Sequence, residues 1–361
     1  MASADALSPD FTMGLPDRTL QQVMKHLPLA TVYGKMAHVC RRWRRIANTS
    51  SIRVHFEVGF RKGWAAHARG ETKPDAIERS ERKGLRIALH PDGRVYGGRA
   101  GSSTISVWRD DYSPLPDLLG HGGLVYALVL SPDGKRLCSG SVDRTIRIWD
   151  AETNACLHTL TGHTGRVMSL AMSPDGDTVY SGSEDSTIRA WSMVDGSHLT
   201  TLTGHTQLIL SLAVSPDGQQ LCSGSNGFTI RVWSLADGSH IRTLTGHTGT
   251  VKSLVFSPDG GRLYSGSDDF TIWVWNTVDG AHLKTLNNHT DMVLSLALSS
   301  NGRWLFSGSY DKTIRVWDTT DNTLTATINT TQYAGNSVTS LALSSDGQLV
   351  SGSVHGPVLC W

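Results

Sequence analysis

A unit of 42 residues recurs through most of this sequence. A Gly-His pair occurs four times at this spacing, and an Asn-His pair follows at the next interval. These pairs are Gly120-His121, Gly162-His163, Gly204-His205, Gly246-His247 and Asn288-His289. Because a fixed period of this size is typical of repeat architectures, one repeated structural unit is predicted to make up most of the chain.

Tryptophans that close each unit give the number of repeats. They lie 41 to 44 residues apart, at Trp108, Trp149, Trp191, Trp233, Trp275, Trp317 and Trp361. The sequence therefore contains seven units, which together span residues 85–361.

Each unit contains the pattern of four short strands. In the unit around residues 160–192, the segments VMSLAMS, TVYSGS and TIRAWS are separated by polar turns, and HLTTL follows as a fourth strand. Alternating apolar residues predict half-buried strands, and Gly after Asp supplies the positive φ that tight hairpins need. Seven such four-stranded units predict a mainly β fold, a seven-bladed β-propeller whose closed ring protects the strand edges.

The recurring pattern GH…SPDG…SGS.D.TIR.W resembles the WD-repeat family, and the resemblance covers about three-quarters of the chain. It implies that one His, Ser, Asp and Trp of each unit form a hydrogen-bonded tetrad inside a blade. By position, the complete sets are His121/Ser139/Asp143/Trp149, His163/Ser181/Asp185/Trp191, His247/Ser265/Asp269/Trp275 and His289/Ser307/Asp311/Trp317.

A His, a Ser and an Asp in contact are also the residues of a hydrolase triad. An active site is needed once, whereas this set occurs four times, so a structural role is expected and no catalytic residue is assigned. The five cysteines show no CxxC spacing, which argues against a disulfide framework and a zinc site and favours a reducing compartment. We expect no metal and no cofactor.

Three units depart from the repeat pattern. Gly227 replaces the Asp in the fourth unit, and Gly98 and Ser102 are expected at the Ser and Asp places of the first. In the last unit, His355 takes the Asp place. Since the chain stops within a third strand, we expect the alternating segment Val54–Phe60 to supply the fourth strand and close the ring. The alternative is a truncated chain with an open sheet edge.

Residues 11–53 show the pattern of two or three short helices. Leu15-Pro16 begins the first helix, and apolar residues follow at spacings of three and four. About 40 residues are marginal for an independent core. This pattern alone leaves two alternatives open, a segment that binds a partner protein and a cap folded on the rest of the chain.

The order of these residues resembles the F-box, by which substrate receptors attach to the adaptor subunit of cullin-based ubiquitin ligases. The resemblance covers residues 14–53, although Ile52-Arg53 stands where many members have Trp. It implies that eight residues divide between the helix core and the adaptor-binding surface: Leu15, Pro16, Leu20, Val23, Met24, Leu27, Val39 and Trp43.

Charge is distributed unevenly along the chain. The net charge is +1, but residues 1–70 carry +7 and the rest −6. Four arginines around Trp43 are more typical of the solvated face of an amphipathic helix than of a nucleic-acid site. The charged stretch 71–84 indicates an exposed linker within the connection 54–84. With no signal peptide and no long apolar run, neither nucleic acid nor a membrane is an expected partner, and the cytoplasm, the nucleus or both are expected.

Propellers usually bind on the rim that carries the turns next to the Gly-His and Asp places. The variable residues there are largely apolar, which marks an interaction site for a protein substrate. The candidates are Tyr126, Arg166, Met168, Leu208, Leu210, Lys252, Phe270, Met292, Leu294 and Tyr310. No clustered arginines suited to phosphate occur among them, so an apolar or mixed peptide segment is favoured.

Together the two resemblances imply the substrate-recognition subunit of a cullin-based, SCF-type ubiquitin ligase. The helical region would dock on the adaptor, and the propeller would hold the substrate protein. A scaffold in a complex unrelated to ubiquitin is the alternative. An enzyme is disfavoured because no unrepeated catalytic set is present.

Overall fold

The computed structural model describes residues 75–76, 84–99, 101–109, 113–331, 337–344, 347–353 and 358–361. The chain divides into two units, Met1–Thr72 and Lys73–Trp361, and all described residues belong to the second. The predicted helical region 11–53 and the segment Val54–Phe60 lie outside the described residues.

The described residues form 28 strands in seven four-stranded antiparallel sheets, called blades I to VII. The first strand, β1 (Asp75–Ala76), belongs to blade VII. Blade I contains β2 (Gly84–Leu89), β3 (Val95–Arg99), β4 (Ile105–Trp108) and β5 (Pro114–Leu118). Blade II contains β6 (Val125–Leu130), β7 (Arg136–Ser141), β8 (Ile146–Asp150) and β9 (Cys156–Leu160). Blade III contains β10 (Val167–Met172), β11 (Thr178–Ser183), β12 (Ile188–Ser192) and β13 (His198–Leu202).

The remaining blades repeat this order. Blade IV contains β14 (Ile209–Val214), β15 (Gln220–Ser225), β16 (Ile230–Ser234) and β17 (His240–Leu244). Blade V contains β18 (Val251–Phe256), β19 (Arg262–Ser267), β20 (Thr271–Asn276) and β21 (His282–Asn287). Blade VI contains β22 (Val293–Leu298), β23 (Trp304–Ser309), β24 (Thr313–Asp318) and β25 (Thr323–Asn329). Blade VII contains β26 (Val338–Leu343), β27 (Leu349–Ser353) and β28 (Leu359–Cys360), with β1 as its fourth strand.

The inner strands close the blades into a ring. Each of β2, β6, β10, β14, β18, β22 and β26 packs against the inner strands of both neighbouring blades, and β26 packs against β2. The predicted mainly β fold, a seven-bladed β-propeller, is therefore confirmed.

Blade VII is completed by a strand from the start of the propeller unit. Asp75 pairs with Cys360 and Ala76 with Leu359 at the edge of β28. A segment upstream of residue 85 does supply this strand, but the prediction of Val54–Phe60 was wrong. A two-residue strand is too short to show a period in the sequence, whereas the longer alternation at 54–60 was conspicuous.

The hydrophobic core lies between blades rather than within them. Trp191 of blade III packs in one cluster with Ile146 of blade II, and Trp233 of blade IV packs with Ile188 of blade III. The same arrangement continues to the closure, where Trp108 of blade I packs with Val350 of blade VII. Each of these tryptophans is 2% exposed. Because a blade buries its apolar faces only against its neighbours, the ring is the stable unit.

The structure places the His, Ser, Asp and Trp of blade III in one chain of hydrogen bonds. His163 Nδ1 lies 2.8 Å from Asp185 Oδ2, and Nε2 lies 2.8 Å from Ser181 Oγ. The indole N–H of Trp191 donates to the same Oγ at 2.8 Å. Since the carboxylate only accepts, His163 carries a proton on Nδ1, and in its neutral form the ring accepts at Nε2 from the Ser181 hydroxyl. Blades II, V and VI have the same arrangement.

The serine at the centre of each tetrad is enclosed by its blade. In blade V, His247 Nε2 lies 2.7 Å from Ser265 Oγ, and the Trp275 indole N–H donates to that Oγ at 2.8 Å. The His247 Nδ1 lies 2.6 Å from Asp269 Oδ2. Ser265 and Ser181 are both 0% exposed. Because no ligand can reach either hydroxyl from solvent, these two serines act inside the fold and are not part of a binding surface.

Blade I lacks this network because of a glycine. Gly97 pairs with Ile87 as Ser139 pairs with Leu128, so Gly97 occupies the Ser place and the assignment of Gly98 was wrong by one residue. The Trp108 Nε1 is buried and has no hydrogen-bond partner among the described residues. Two adjacent glycines hid this register in the sequence.

Shortening the chain from its start tests the ring closure. A chain that begins at Lys73 keeps β1, whereas one that begins at Gly84 exposes the edge of β28. We expect the second chain to unfold at a temperature lower by about 2–4 °C or more, measured by calorimetry. Equal unfolding temperatures would contradict a stabilising role of β1.

Removal of one tetrad carboxylate tests the contribution of the network. Asp185→Ala leaves buried donors without an acceptor and is expected to lower the free energy of unfolding by ~1–3 kcal/mol. Glu184→Ala is the matched control, because Glu184 is exposed and its surface ion pair contributes little. Urea denaturation compares the two variants, and an equal effect would show that the network adds no stability.

Acid is expected to destabilise the propeller through its buried histidines. Burial lowers the pKa of His121 and His289, and burial together with Arg231 lowers the pKa of His205 to about 4. The unfolded chain takes up these protons near pH 6.5, so the free energy of unfolding falls as the pH drops from about 6.5 to 4. His205 contributes at most ~3 kcal/mol to this fall. Urea denaturation between pH 6.5 and about 4 should show a smaller decrease in the free energy of unfolding for His205→Gln than for the unchanged protein. An equal decrease in both would contradict the contribution of His205.

Candidate protein-binding face

The turns next to the Gly-His pairs and the Asp places meet at one end of each blade, here called the upper face. In blade III, the backbone N–H of Glu184 donates to the carbonyl oxygen of Arg166 at 2.9 Å and joins the two turns. The same bond joins Val142 to Leu124, Asn226 to Leu208, Asp268 to Thr250 and Tyr310 to Met292. Variable side chains of both turns are therefore held next to each other in five consecutive blades.

Every inner strand carries a β-bulge next to the upper face. The register shifts at one residue per blade, and a bulge of this kind changes the direction of a side chain. The residues at the bulges are Leu85, Tyr126, Met168, Leu210, Lys252, Leu294 and Thr339. Because the inner strands surround the propeller axis, these positions form a ring around it, and most of them hold apolar residues.

The turn after each Asp place forces one residue into the left-handed region. Phe228 has a φ of 63° and Phe270 a φ of 71°, although a bulky residue is rarely found there. Their side chains are 44% and 43% exposed, and Tyr310 on blade VI is 50% exposed. Exposed aromatic residues therefore lie on the upper sides of blades IV, V and VI.

Both predicted cations of the rim, Arg166 and Lys252, are paired with carboxylates. The Arg166 Nε lies 3.5 Å from Glu184 Oε2, and the Lys252 Nζ lies 3.2 Å from Asp268 Oδ2. A phosphate site needs arginines whose donors are available for bidentate contacts. This geometry therefore favours an unphosphorylated ligand on these two blades.

The structure leaves all ten predicted rim residues at least partly accessible. Arg166, Phe270 and Tyr310 are exposed, and the other seven are half-buried. Phe228, a variable residue of the same rim, is not among the ten candidates, although it occupies the place that Phe270 has in the next repeat. Glu184 and Asp268 are variable rim residues as well, but their ion pairs with Arg166 and Lys252 were not predicted, because a repeat alignment shows positions and not side-chain contacts. The eight predicted adaptor-binding residues lie outside the described residues.

The predicted tetrad residues differ from the rim residues in their accessibility. The side chain of Ser265 lies in the interior of blade V, and Trp275 beside it is 2% exposed. The His247 ring is buried as well. These residues therefore support the upper face from below and contribute no contact surface to it.

Two further features of the described residues concern metal ligands and long apolar helices. Among them, no group of three or more His, Cys, Asp or Glu side chains is arranged to hold a metal ion. No helix in the same part of the chain has the length and apolar character required to cross a membrane.

Curated proteins match short parts of the chain. A eukaryotic translation initiation factor 3 subunit I from Pyricularia oryzae is 34% identical over 88 residues, which are 24% of this chain and 26% of that protein. Zinc finger CCCH domain-containing protein 17 from Oryza sativa subsp. japonica is 37% identical over 76 residues, 21% of this chain and 16% of that protein. Intraflagellar transport protein 122 homolog from Homo sapiens is 37% identical over 71 residues, 20% of this chain and 6% of that protein. The chain thus spans about a quarter or less of the length of these relatives.

Two family models match the chain. The F-box-like model matches residues 13–56, a range that contains all eight predicted adaptor-binding residues. The model of the WD domain, G-beta repeat, matches residues 112–150, 154–192, 196–234, 238–276 and 280–318. Each matched repeat from 154 onward begins with the outer strand of one blade and continues into the next. Because these repeats cover more than half of the chain, it belongs to the WD-repeat family and carries an F-box-like segment before its propeller.

Proposed function

We propose that this protein is the substrate-recognition subunit of a cullin-based ubiquitin ligase. The observation that carries the proposal is the presence, in one chain, of an F-box-like segment at 13–56 and a WD-repeat propeller. The F-box-like segment docks on the adaptor subunit through Leu15, Pro16 and the other apolar residues predicted above. The propeller then presents a bound substrate protein for ubiquitin transfer, and the chain itself catalyses no reaction.

The upper face supports the substrate-binding half of this proposal. Its bulge positions are mainly apolar, its exposed aromatic residues lie on three adjacent blades, and its two predicted cations are paired. An accessible apolar patch rimmed by polar residues is typical of a protein-binding site. The face therefore suits an apolar or mixed peptide segment rather than a phosphopeptide.

The cysteines are consistent with action in the cytoplasm, the nucleus or both. The four described cysteines are all free, and Cys138, Cys222 and Cys360 are buried. Free thiols are typical of a reducing compartment, where intracellular ubiquitination takes place.

A propeller scaffold unrelated to ubiquitin is the second candidate. Relatives are named for translation initiation and intraflagellar transport, which shows that similar repeats occur in proteins of other assemblies. Adaptor binding separates the two candidates, because the scaffold has no need to bind the ligase adaptor.

The decisive variant changes the start of the F-box-like segment. Leu15→Ala combined with Pro16→Ala is expected to weaken binding of the full chain to the purified adaptor by about 30-fold or more, as for a buried interface anchor. The unfolding temperature of the propeller is expected to stay unchanged, because the substitutions lie outside residues 73–361.

Leu7→Ala combined with Pro9→Ala is the matched control, since it removes the same residue types outside the matched range. Binding constants come from calorimetry, and unfolding temperatures from thermal scans of the same samples. Undiminished binding by the Leu15/Pro16 variant would contradict adaptor docking. Loss of both binding and thermal stability would show instead that the segment is a cap on the propeller.

A further inference from the structure

The tetrad aspartates accept more hydrogen bonds than the histidine alone supplies. Asp185 accepts from His163 Nδ1 at 2.8 Å and from the Thr164 N–H at 2.9 Å through one oxygen. Its other oxygen accepts from the N–H and the hydroxyl of Thr187, at 3.0 and 2.6 Å. These four donors, called the donor set of the blade, come from the two turns of the upper face.

The same donor set binds an aspartate in three other blades. In blades II, V and VI, the carboxylates of Asp143, Asp269 and Asp311 accept from the equivalent histidine, backbone N–H and threonine at distances between 2.5 and 3.1 Å. The pattern is strong enough to lower the pKa of Asp143 and Asp269 to about 2, although burial acts in the opposite direction. The fold therefore repeats one carboxylate-binding geometry four times.

Blade IV keeps this donor set but has no carboxylate of its own. His205, Thr206 and Thr229 occupy the donor places, and Gly227 occupies the place of the aspartate. The His205 Nε2 still lies 2.7 Å from Ser223 Oγ, and the Trp233 indole donates to that Oγ at 2.8 Å. Within the described residues, His205 Nδ1, the Thr206 N–H and both Thr229 donors have no hydrogen-bond acceptor.

The donor set of blade IV is accessible from the upper face. A Cβ at Gly227 would have Ser225 Oγ as its nearest neighbour at 3.6 Å and Gln207 Cγ at 3.7 Å, which are ordinary contact distances. The space for a Cβ at Gly227 is therefore open, with the Gln207 side chain beside it. Gly227 and Thr206 are exposed, whereas His205 as a residue is 9% exposed.

Local charge favours an anion at this position. Burial and Arg231 lower the pKa of His205 to about 4, so the ring is neutral near pH 7. The contact of Nε2 with Ser223 Oγ fits either tautomer of the neutral ring, and a carboxylate beside Nδ1 selects the one in which Nδ1 is a donor and Nε2 accepts from the Ser223 hydroxyl. The Arg231 guanidinium lies 5.8 Å from the Trp233 ring and has no tetrad carboxylate in its own blade to balance its charge.

We infer that the donor set of blade IV binds the side-chain carboxylate of an aspartate or glutamate in a partner protein. The four donors divide two and two between the oxygens of a planar carboxylate, as the other four blades show. The exposed ring of Phe228, the residue next to Gly227, offers an apolar contact for the neighbouring residue of the partner. An acidic side chain flanked by apolar residues is thus the recognised element.

A side chain fits this position better than other anions do. A phosphate carries three terminal oxygens and more charge, and Arg166 and Lys252 of the adjoining blades are already paired. In the other blades the carboxylate arrives on the side chain of a strand-connecting segment, and an extended partner segment can supply it in the same way. The inference rests on the proposed role of the upper face as the substrate site.

Capped peptides test this inference on the full chain. The probe is acetyl-Ala-Leu-Asp-Leu-Ala-amide, and its matched control has Asn in place of Asp. The Asp peptide is expected to shift the ring-nitrogen NMR signals of His205 and to bind about tenfold more tightly than the Asn peptide, a difference of about 1.4 kcal/mol. Equal affinity of the two peptides, or the absence of a His205 shift even with concentrated sodium acetate, would overturn the inference.

Two variants of Gly227 distinguish the effect of an added carboxylate from the effect of filling the space beside the donors. Gly227→Asp supplies an internal carboxylate, so it is expected to raise the unfolding temperature and to weaken binding of the Asp peptide about tenfold or more. Gly227→Ala places a Cβ within one C–C bond length of the expected carboxylate carbon, so it is expected to weaken binding of the Asp peptide as well but, without an acceptor, not to raise the unfolding temperature. Undiminished binding by Gly227→Asp would place the peptide elsewhere.

Further probes identify the source of the anion. Tighter binding of the Asn peptide with a free C-terminus would overturn the choice of a side chain in favour of a terminal carboxylate. Tighter binding of a phosphoserine peptide would overturn the choice of a carboxylate. Adaptor binding is measured on the same samples to distinguish the proposed function from the donor-set inference. A protein that binds the adaptor but not the Asp peptide would reject only the donor-set inference.

Discussion

Burial of apolar side chains between neighbouring blades is the interaction on which the rest of the structure depends. A four-stranded sheet of this size exposes two apolar faces and cannot bury either face alone. Trp191 and Trp233 show the solution, since each completes a core that begins on the preceding blade. Only a closed ring leaves no apolar face uncovered. The last blade must therefore match the first, and β1 extends the outer edge of blade VII at this junction.

The tetrads fix the turns of the upper face on this ring. In each complete tetrad the carboxylate binds donors from both turns. The residue after the Asp place has a φ of 66° to 71° whether it is Arg144, Ser186, Phe270 or Lys312, and Phe228 has a φ of 63° in blade IV, which lacks the carboxylate, so this backbone conformation belongs to the turn itself. The side chain at this position can thus vary in size and charge while the backbone conformation stays the same. This separation allows the upper face to change its specificity without changing the fold.

The sequence predicted the architecture because the repeat signals are averaged over seven copies. Period, strand pattern and tetrad positions recur, so a local irregularity does not obscure them. Features that occur once could not be predicted in the same way. The strand Asp75–Ala76 is too short to show alternation, the pair Gly97-Gly98 gives no register, and the pairing of Lys252 with Asp268 depends on side-chain geometry. Sequence reasoning therefore identified the candidate face but not the balance of charge on it.

Blade IV shows how a repeat protein can turn a structural element into a binding element. A buried donor without an acceptor costs about 1–3 kcal/mol, so loss of the aspartate destabilises this blade. The cost is reduced here because Thr206 and Gly227 are exposed and water can reach the donors. The packing of Trp233 and the bond between His205 and Ser223 hold the ring nitrogen in place without the carboxylate. Since the donors are already ordered, a partner's carboxylate binds there without the entropic cost of arranging them.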